Sequence, residues 1–245
     1  MHDIIRIGLV VPWATDNVPP EAAEMYPGVQ FIARGVNVQA LTPEGYESAW
    51  HAIVPAARQL AAEGVQAVMV IGTSLTFYRG VEAHARLLAT LREATGLPVS
   101  TMSAAIVDGL RTVGGERVCV CTAYADEVNR RLGTFLTDSG FEVLALEGFG
   151  LTRFGAAGEK SEDDIVDLAG RTREKAPGAD AMLVSCGGLR TLHAGKKIED
   201  KCGLPVVSSM PAALWGAMRL AGESGYVANC GRLLERSRDA SSSRR

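Results

Sequence analysis

The sequence predicts an α/β protein made of two pseudo-twofold-related halves, each a parallel sheet flanked by helices. Two observations carry that prediction. Short apolar runs alternate with helical patterns from end to end. One block also recurs: Gly64-Val65-Gln66-Ala67-Val68-Met69-Val70-Ile71-Gly72-Thr73-Ser74 aligns without gaps on Gly178-Ala179-Asp180-Ala181-Met182-Leu183-Val184-Ser185-Cys186-Gly187-Gly188. Each copy is followed by the same punctuation, Gly96-Leu97-Pro98-Val99 and Gly203-Leu204-Pro205-Val206, and is preceded by mirrored strands at Arg6 to Val11 and Arg117 to Thr122. Halves of about 110 residues follow from that repeat. The first is residues 1–115, closed by a C-terminal segment at about 205–225; the second is 116–204. Strand ends facing a shared cleft would form the ligand site, with Gly72 and Cys186 in equivalent places across it.

Taken in order, the strands are expected at Arg6 to Val11, Ala67 to Ile71, Val99 to Thr101, Arg117 to Cys121, Phe141 to Leu146, Ala181 to Ser185 and Val206 to Ser208. Thr42-Pro43-Glu44 supplies an N-cap and a proline in the first turn of a helix running through Glu63. Ser161-Glu162-Asp163-Asp164 is a capping box with Asp in place of Glu. Gly64, Gly96 and Gly203 stand where helices stop. The polar tail at 236–245 is expected to be disordered.

The 245 residues are 47% apolar and 22% charged, with a formal net charge of -3; the mean hydropathy is +0.09 and the pI about 5.9. No basic field exists to neutralise a series of phosphates, so nucleic acid is excluded as the expected partner. Apolar runs such as Ala67 to Ile71 fall far short of the roughly 20 residues that span a bilayer, and Met1-His2-Asp3 opens no signal sequence. No membrane association is expected and a cytoplasmic location is. Five cysteines, an odd number in a chain of this size, fit free thiols in a reducing compartment. Cys119-Val120-Cys121 has no histidine near it, and no metal site is expected. Gly148-Phe149-Gly150 and Gly195-Lys196-Lys197 both fail the spacing of nucleotide-binding loops.

Chemistry concentrates at the two equivalent turns. Cys186 follows a buried strand and precedes Gly187-Gly188, which permit a sharp turn with N–H groups exposed at a helix start. A thiol there would have a mobile proton, suited to a nucleophile or a proton donor; the plainer alternative is a small buried cysteine. The four histidines, His2, His51, His84 and His193, offer no convincing base for a cysteine hydrolase. Gly72-Thr73-Ser74 brings two hydroxyls and backbone donors to the opposite wall, as an anion cradle or as ordinary capping. Tyr124 belongs at the same rim, either donating its phenolic O–H or packing beneath the helix that begins near Asp126.

Several blocks carry a family resemblance: Leu41-Thr42-Pro43-Glu44-Gly45-Tyr46, Gly72 through Gly80, Arg92 through Pro98, Thr122-Ala123-Tyr124, Ser185 through Leu189, and Gly203 through Ser209. From about Ile5 to Gly222 the chain resembles the arylmalonate decarboxylases, within the aspartate/glutamate racemase superfamily. Racemases and maleate isomerases of that superfamily carry two cysteines, one per half; here the first position is Gly72. Two-base chemistry needs groups on opposite faces of one carbon, whereas one thiol protonates from a single side.

The resemblance implies a decarboxylation of 2-aryl or alkenyl malonates to chiral monocarboxylic acids that uses no cofactor. One carboxylate of a small dicarboxylate substrate would lie in a dioxyanion hole of Thr73, Ser74, Tyr124 and backbone N–H groups near Gly187, where charge grows as an enediolate forms. The other would be lost as CO2 from an apolar pocket, and Cys186 would protonate one face. Gly72, Pro12, Val38, Leu41, Tyr46, Phe154 and Ala157 are implied as pocket walls. Trp13 stands where the family has a second proline, and Phe154 and Ala157 replace a differently sized pair, so the walls differ and leave substrate size and product enantiomer open. A one-thiol racemase or cis-trans isomerase of a small carboxylic acid is the alternative reading, and a non-catalytic carboxylate binder a third. The oligomeric state is open and compatible with a monomer.

Overall fold

The computed structural model describes residues 4–236. It contains two four-stranded sheets in which every pairing is parallel. The first holds β1 (Arg6–Val11), β2 (Gln30–Gly35), β3 (Ala67–Val70) and β4 (Val99–Thr101) in the order β2-β1-β3-β4. The second holds β5 (Arg117–Tyr124), β6 (Glu142–Leu151), β7 (Ala181–Ser185) and β8 (Val206–Ser208) in the order β6-β5-β7-β8. The two orders are the same once the chain is folded on its repeat. Between the strands run α1 (Pro20–Met25), α2 (Pro43–Ala62), α3 (Thr73–Phe77), α4 (Gly80–Thr95), α5 (Met102–Thr112), α6 (Asp126–Asp138), α7 (Glu162–Lys175), α8 (Ala194–Cys202) and α9 (Ser209–Leu220), with a 3-10 turn at Ala156–Glu159.

Local chemistry explains the element ends. The Thr42 side chain accepts from the Gly45 N–H at the start of α2, and the Ser161–Asp164 capping box starts α7 with both reciprocal bonds formed. Gly96 and Gly203 end α4 and α8 in the left-handed region.

Three strand assignments need correction. β2 was not expected: it is an edge strand whose side chains are mostly half-buried, so Gln-Phe-Ile-Ala-Arg-Gly shows neither alternation nor a continuous apolar run. β5 continues past Cys121 to Tyr124, and β6 runs from Glu142 to Leu151 rather than stopping at Leu146. Register shifts in the β5–β6 pair at Val118/Cys119 and Thr122/Tyr124 sustain that extension. Gly148 permits it, since a Cβ there would lie 2.5 Å from the Tyr124 carbonyl oxygen. Residues 205–225 divide their contacts: β8 joins the second sheet, and α9 packs on α5, β3 and β4. Of the tail expected to be disordered, Arg236 closes a helical turn over 232–236, and the rest lies outside the described residues, as does His2.

The core is continuous across the halves. The most extensive helix–helix contact within it joins α5 and α9. Gly216 allows the approach: a Cβ there would meet Ala105 Cβ at 3.2 Å and Met69 Cε at 3.3 Å. No helix among the described residues is long and apolar enough to cross a membrane.

A buried histidine braces the start of α5. His84 Nε2 lies 2.6 Å from Thr101 Oγ1, which as N-cap accepts the Ala104 N–H. The Thr101 proton is therefore available to an unprotonated Nε2, and burial lowers the His84 pKa to about 4. Below the unfolded value near 6.5 the unfolded chain binds a proton that the folded chain refuses, so stability is lost as pH falls towards 4. The linked loss is about 3 kcal/mol. Denaturant melts between about pH 7 and pH 4 should show it, and His84→Gln should flatten that slope; equal slopes would contradict the assignment.

Candidate active site

The strand ends converge on one cavity of about 220 Å³, lined mostly by apolar atoms. Every residue proposed from the sequence lines it: Cys186 and Gly187 on one side, Gly72, Thr73 and Ser74 on the other, and Tyr124 between them. Pro12, Trp13, Val38, Leu41 and Tyr46 wall it from the first half, Phe154 and Ala157 from the second. The sequence reading omitted Ile71, Leu75, Gly155, Gly158 and Gly188, which complete the lining. Two segments meet over it: the Leu41 N–H donates to the Thr152 carbonyl at 3.1 Å, and Ala40 bridges Arg153 in antiparallel fashion.

The two turns share an unusual backbone. Gly72 has φ +120° and Cys186 has φ +144°, a conformation that L residues rarely adopt. After Gly72 the chain enters α3 directly, so its first N–H groups lack helical acceptors and face the cavity end of the helix. After Cys186 the expectation of an immediate helix fails: Gly187 and Gly188 form a turn, and α8 begins only at Ala194. Both glycines sit in tight surroundings. A Cβ on Gly187 would lie 3.1 Å from Met102 Cε, and one on Gly188 would lie 3.2 Å from Ala157 Cβ.

Electrostatics also correct the sequence reading at Cys186. Burial pushes the thiol pKa up; the backbone amides of Gly188 and Leu189 and the Tyr124 hydroxyl only oppose that shift. The group is therefore a neutral S–H at ordinary pH, a proton donor in waiting rather than a thiolate. The Tyr124 ring packs edge-on against Phe77, centroids 5.9 Å apart. Its hydroxyl is buried beside Cys186, Ser185 and Thr73 and, like that of Tyr46 beside Ser74, makes no hydrogen bond of good geometry. Burial, with the neighbouring Cys186, holds both phenols protonated. The Tyr124 ring is thus packed against α3 while its O–H lines the cavity.

The remaining candidates fall away from this site. His51 and His193 are exposed and face Glu47 and Glu24, at 3.5 and 2.7 Å. All five cysteines are free, and burial raises Cys119 to about 11 and Cys121 to about 12. Among the described residues no three His, Cys, Asp or Glu side chains assemble a metal site.

Paired sheets of one strand order with a strand-end turn from each facing one cavity form the α/β fold that solved arylmalonate decarboxylases and maleate isomerases share. The chain belongs to the arylmalonate decarboxylase family, whose model matches residues 7–234. The arylmalonate decarboxylase of Bordetella bronchiseptica is 45% identical over 216 residues, covering 88% of this chain and 90% of that protein. A solved liganded double variant of arylmalonate decarboxylase, with a glycine-to-cysteine and a cysteine-to-serine exchange, superposes with a TM-score of 0.92. That match has 42% identity and covers 94% of this chain and 99% of that one. The maleate isomerase Iso of Pseudomonas putida S16, solved with maleate, shares the fold: TM-score 0.89, 19% identity, 95% and 98% covered. The protein is an enzyme, an arylmalonate decarboxylase-like carboxy-lyase.

A raised thiol pKa predicts slow alkylation. Iodoacetamide should modify Cys186, followed by mass spectrometry of its peptide, more slowly than free cysteine at about pH 8, with the rate still climbing above about pH 9. A plateau reached by neutral pH would show a thiolate instead.

Proposed function

We propose that the enzyme decarboxylates 2-aryl or alkenyl malonates to chiral monocarboxylic acids, without a cofactor, through an enediolate protonated by Cys186. One observation carries this reading: a single thiol and a single glycine occupy the equivalent turns across one apolar cavity. The carboxylate that is kept would lie at Thr73, Ser74, the Tyr124 hydroxyl and backbone N–H groups around Gly187. The Tyr124 hydroxyl already sits without a well-formed hydrogen bond in a mostly apolar cavity, where a fixed donor stabilises growing negative charge strongly, and the Thr73 hydroxyl needs only to turn from Ser209. The second carboxylate, held against apolar walls, leaves as CO2; its bonding electrons stay on the α-carbon and spread into the retained carboxyl group as an enediolate. Cys186 transfers the S–H proton to that carbon from its own side, and water reprotonates the resulting thiolate.

A racemase or cis-trans isomerase is the alternative, supported by a maleate isomerase of Nocardia farcinica that is 27% identical over 94% of this chain and 96% of that protein. Two-sided proton transfer lacks a second thiol here, which favours decarboxylation.

Phenylmalonate with EDTA present should release CO2, and Cys186→Ala should lower the rate by about 10²–10⁴-fold in folded protein. No release, release abolished by the chelator, or a near-native alanine variant would overturn the proposal. Isomerisation of maleate without CO2 release would select the alternative.

Gly72→Cys tests whether the two turns address one carbon. The exchange is tight, since the new Cβ would lie 3.2 Å from Leu75 Cβ, but the backbone there already resembles that of Cys186. Decarboxylation should fall and racemisation of a 2-arylpropionate should appear. The double variant Cys186→Ala, Gly72→Cys should give the mirror-image acid by chiral chromatography; the parent enantiomer would show that the turns do not face the same carbon.

A further inference from the structure

Beneath the cavity, one buried hydroxyl touches both turns. Ser209, the first residue of α9, is fully buried. Its Oγ accepts the Cys186 backbone N–H at 3.1 Å and the Thr73 hydroxyl at 2.9 Å. Met102, which opens α5 as Ser209 opens α9, brings its Sδ to 3.0 Å from the same Thr73 hydroxyl. The repeat therefore sets two helix starts under two turns. Only the serine contributes a polar side-chain atom that holds the Cys186 amide.

We propose that Ser209 is a positioning residue for the reaction: it fixes the separation of the proton-donating and carboxylate-binding turns and directs the Thr73 hydroxyl. The inference rests on the decarboxylase reading of this cavity. A backbone held at φ +144° persists only where its surroundings over-determine it, and the Ser209 oxygen anchors the Cys186 amide itself. A hydroxyl proton also rotates. When a carboxylate enters, the Thr73 proton turns towards it and the Ser209 proton can turn to the Thr73 oxygen. A chain then runs from the Cys186 N–H through Ser209 and Thr73 to the enediolate, each bond polarising the next.

The test compares Ser209→Ala with Ser209→Thr, which keeps the hydroxyl. Alanine should lower kcat on phenylmalonate by about 10- to 100-fold while KM moves little, since a slightly misplaced donor costs mainly the chemical step. It should also erode the enantiomeric excess obtained from a prochiral aryl(methyl)malonate, and threonine should restore both. An alanine variant with native kcat and enantiomeric excess overturns the proposal, as does one that loses kcat with unchanged enantiomeric excess and no rescue. If the threonine variant does not fold, Ser209→Ala is repeated in a Thr73→Val background. Its cost must then shrink; equal cost in both backgrounds overturns the proposal. If the parent enzyme itself releases no CO2, the proposed function fails and Ser209 is judged on Cys186 alone. Alanine should then speed iodoacetamide labelling of the Cys186 peptide by about threefold or more as the turn loosens, and an unchanged rate refutes the role.

Discussion

The packing of α5 against α9 is the constraint on which the rest of the molecule depends. These helices start beside each other, at Met102 and Ser209, and their first residues support Thr73, Cys186 and Gly187 from below. Each sheet delivers one strand-end turn to that junction. The close approach at Gly216 leaves little room for the halves to slide, so the distance between the turns is set by helix packing rather than by loops. Chemistry that needs an anion cradle and a proton donor at a fixed separation gains from such a rigid base.

Around this base the polar groups are used unequally. Thr76 and Ser103 bond each other and the backbone of the first turn, and Asn129 holds the Tyr124 carbonyl. Those hydroxyls and amides are spent on structure. The Tyr46 and Tyr124 hydroxyls are not, although burial makes an unpartnered polar atom costly. Two such hydroxyls in the cavity that holds the Cys186 thiol fit the carboxylate site proposed above.

The sequence disclosed more of the site than of the edges of the fold. Internal duplication placed Gly72 opposite Cys186 and located the turns, because apolar strands ending in glycine are legible locally. The pocket walls, from Pro12 to Ala157, came from the family resemblance; composition and spacing alone would not have brought Val38 to Phe154. β2 and the outer part of β6 escaped because edge strands carry mixed side chains and Gly148-Phe149-Gly150 reads as a loop until the backbone of Tyr124 is seen against it. The mobile proton expected at Cys186 was misjudged for a related reason. A thiol after a strand suggests helix-dipole activation, but the helix starts late and desolvation, which depends on the whole tertiary packing, wins. Ser209 was visible in Gly203 through Ser209 yet carried no local signal; its significance lies in contacts 136 and 23 residues distant in sequence.

The backbone at Cys186 has a consequence for how the protein can evolve. An L residue at φ +144° sacrifices of order 1–3 kcal/mol that a glycine would not. Drift towards stability alone would thus replace the cysteine by glycine, the residue already found in the corresponding place of the other half. If Cys186 donates the proton as proposed, the asymmetry between the halves is a departure from the less strained symmetric backbone that selection on turnover would maintain. A lineage released from that selection should lose its thiol first and its fold last.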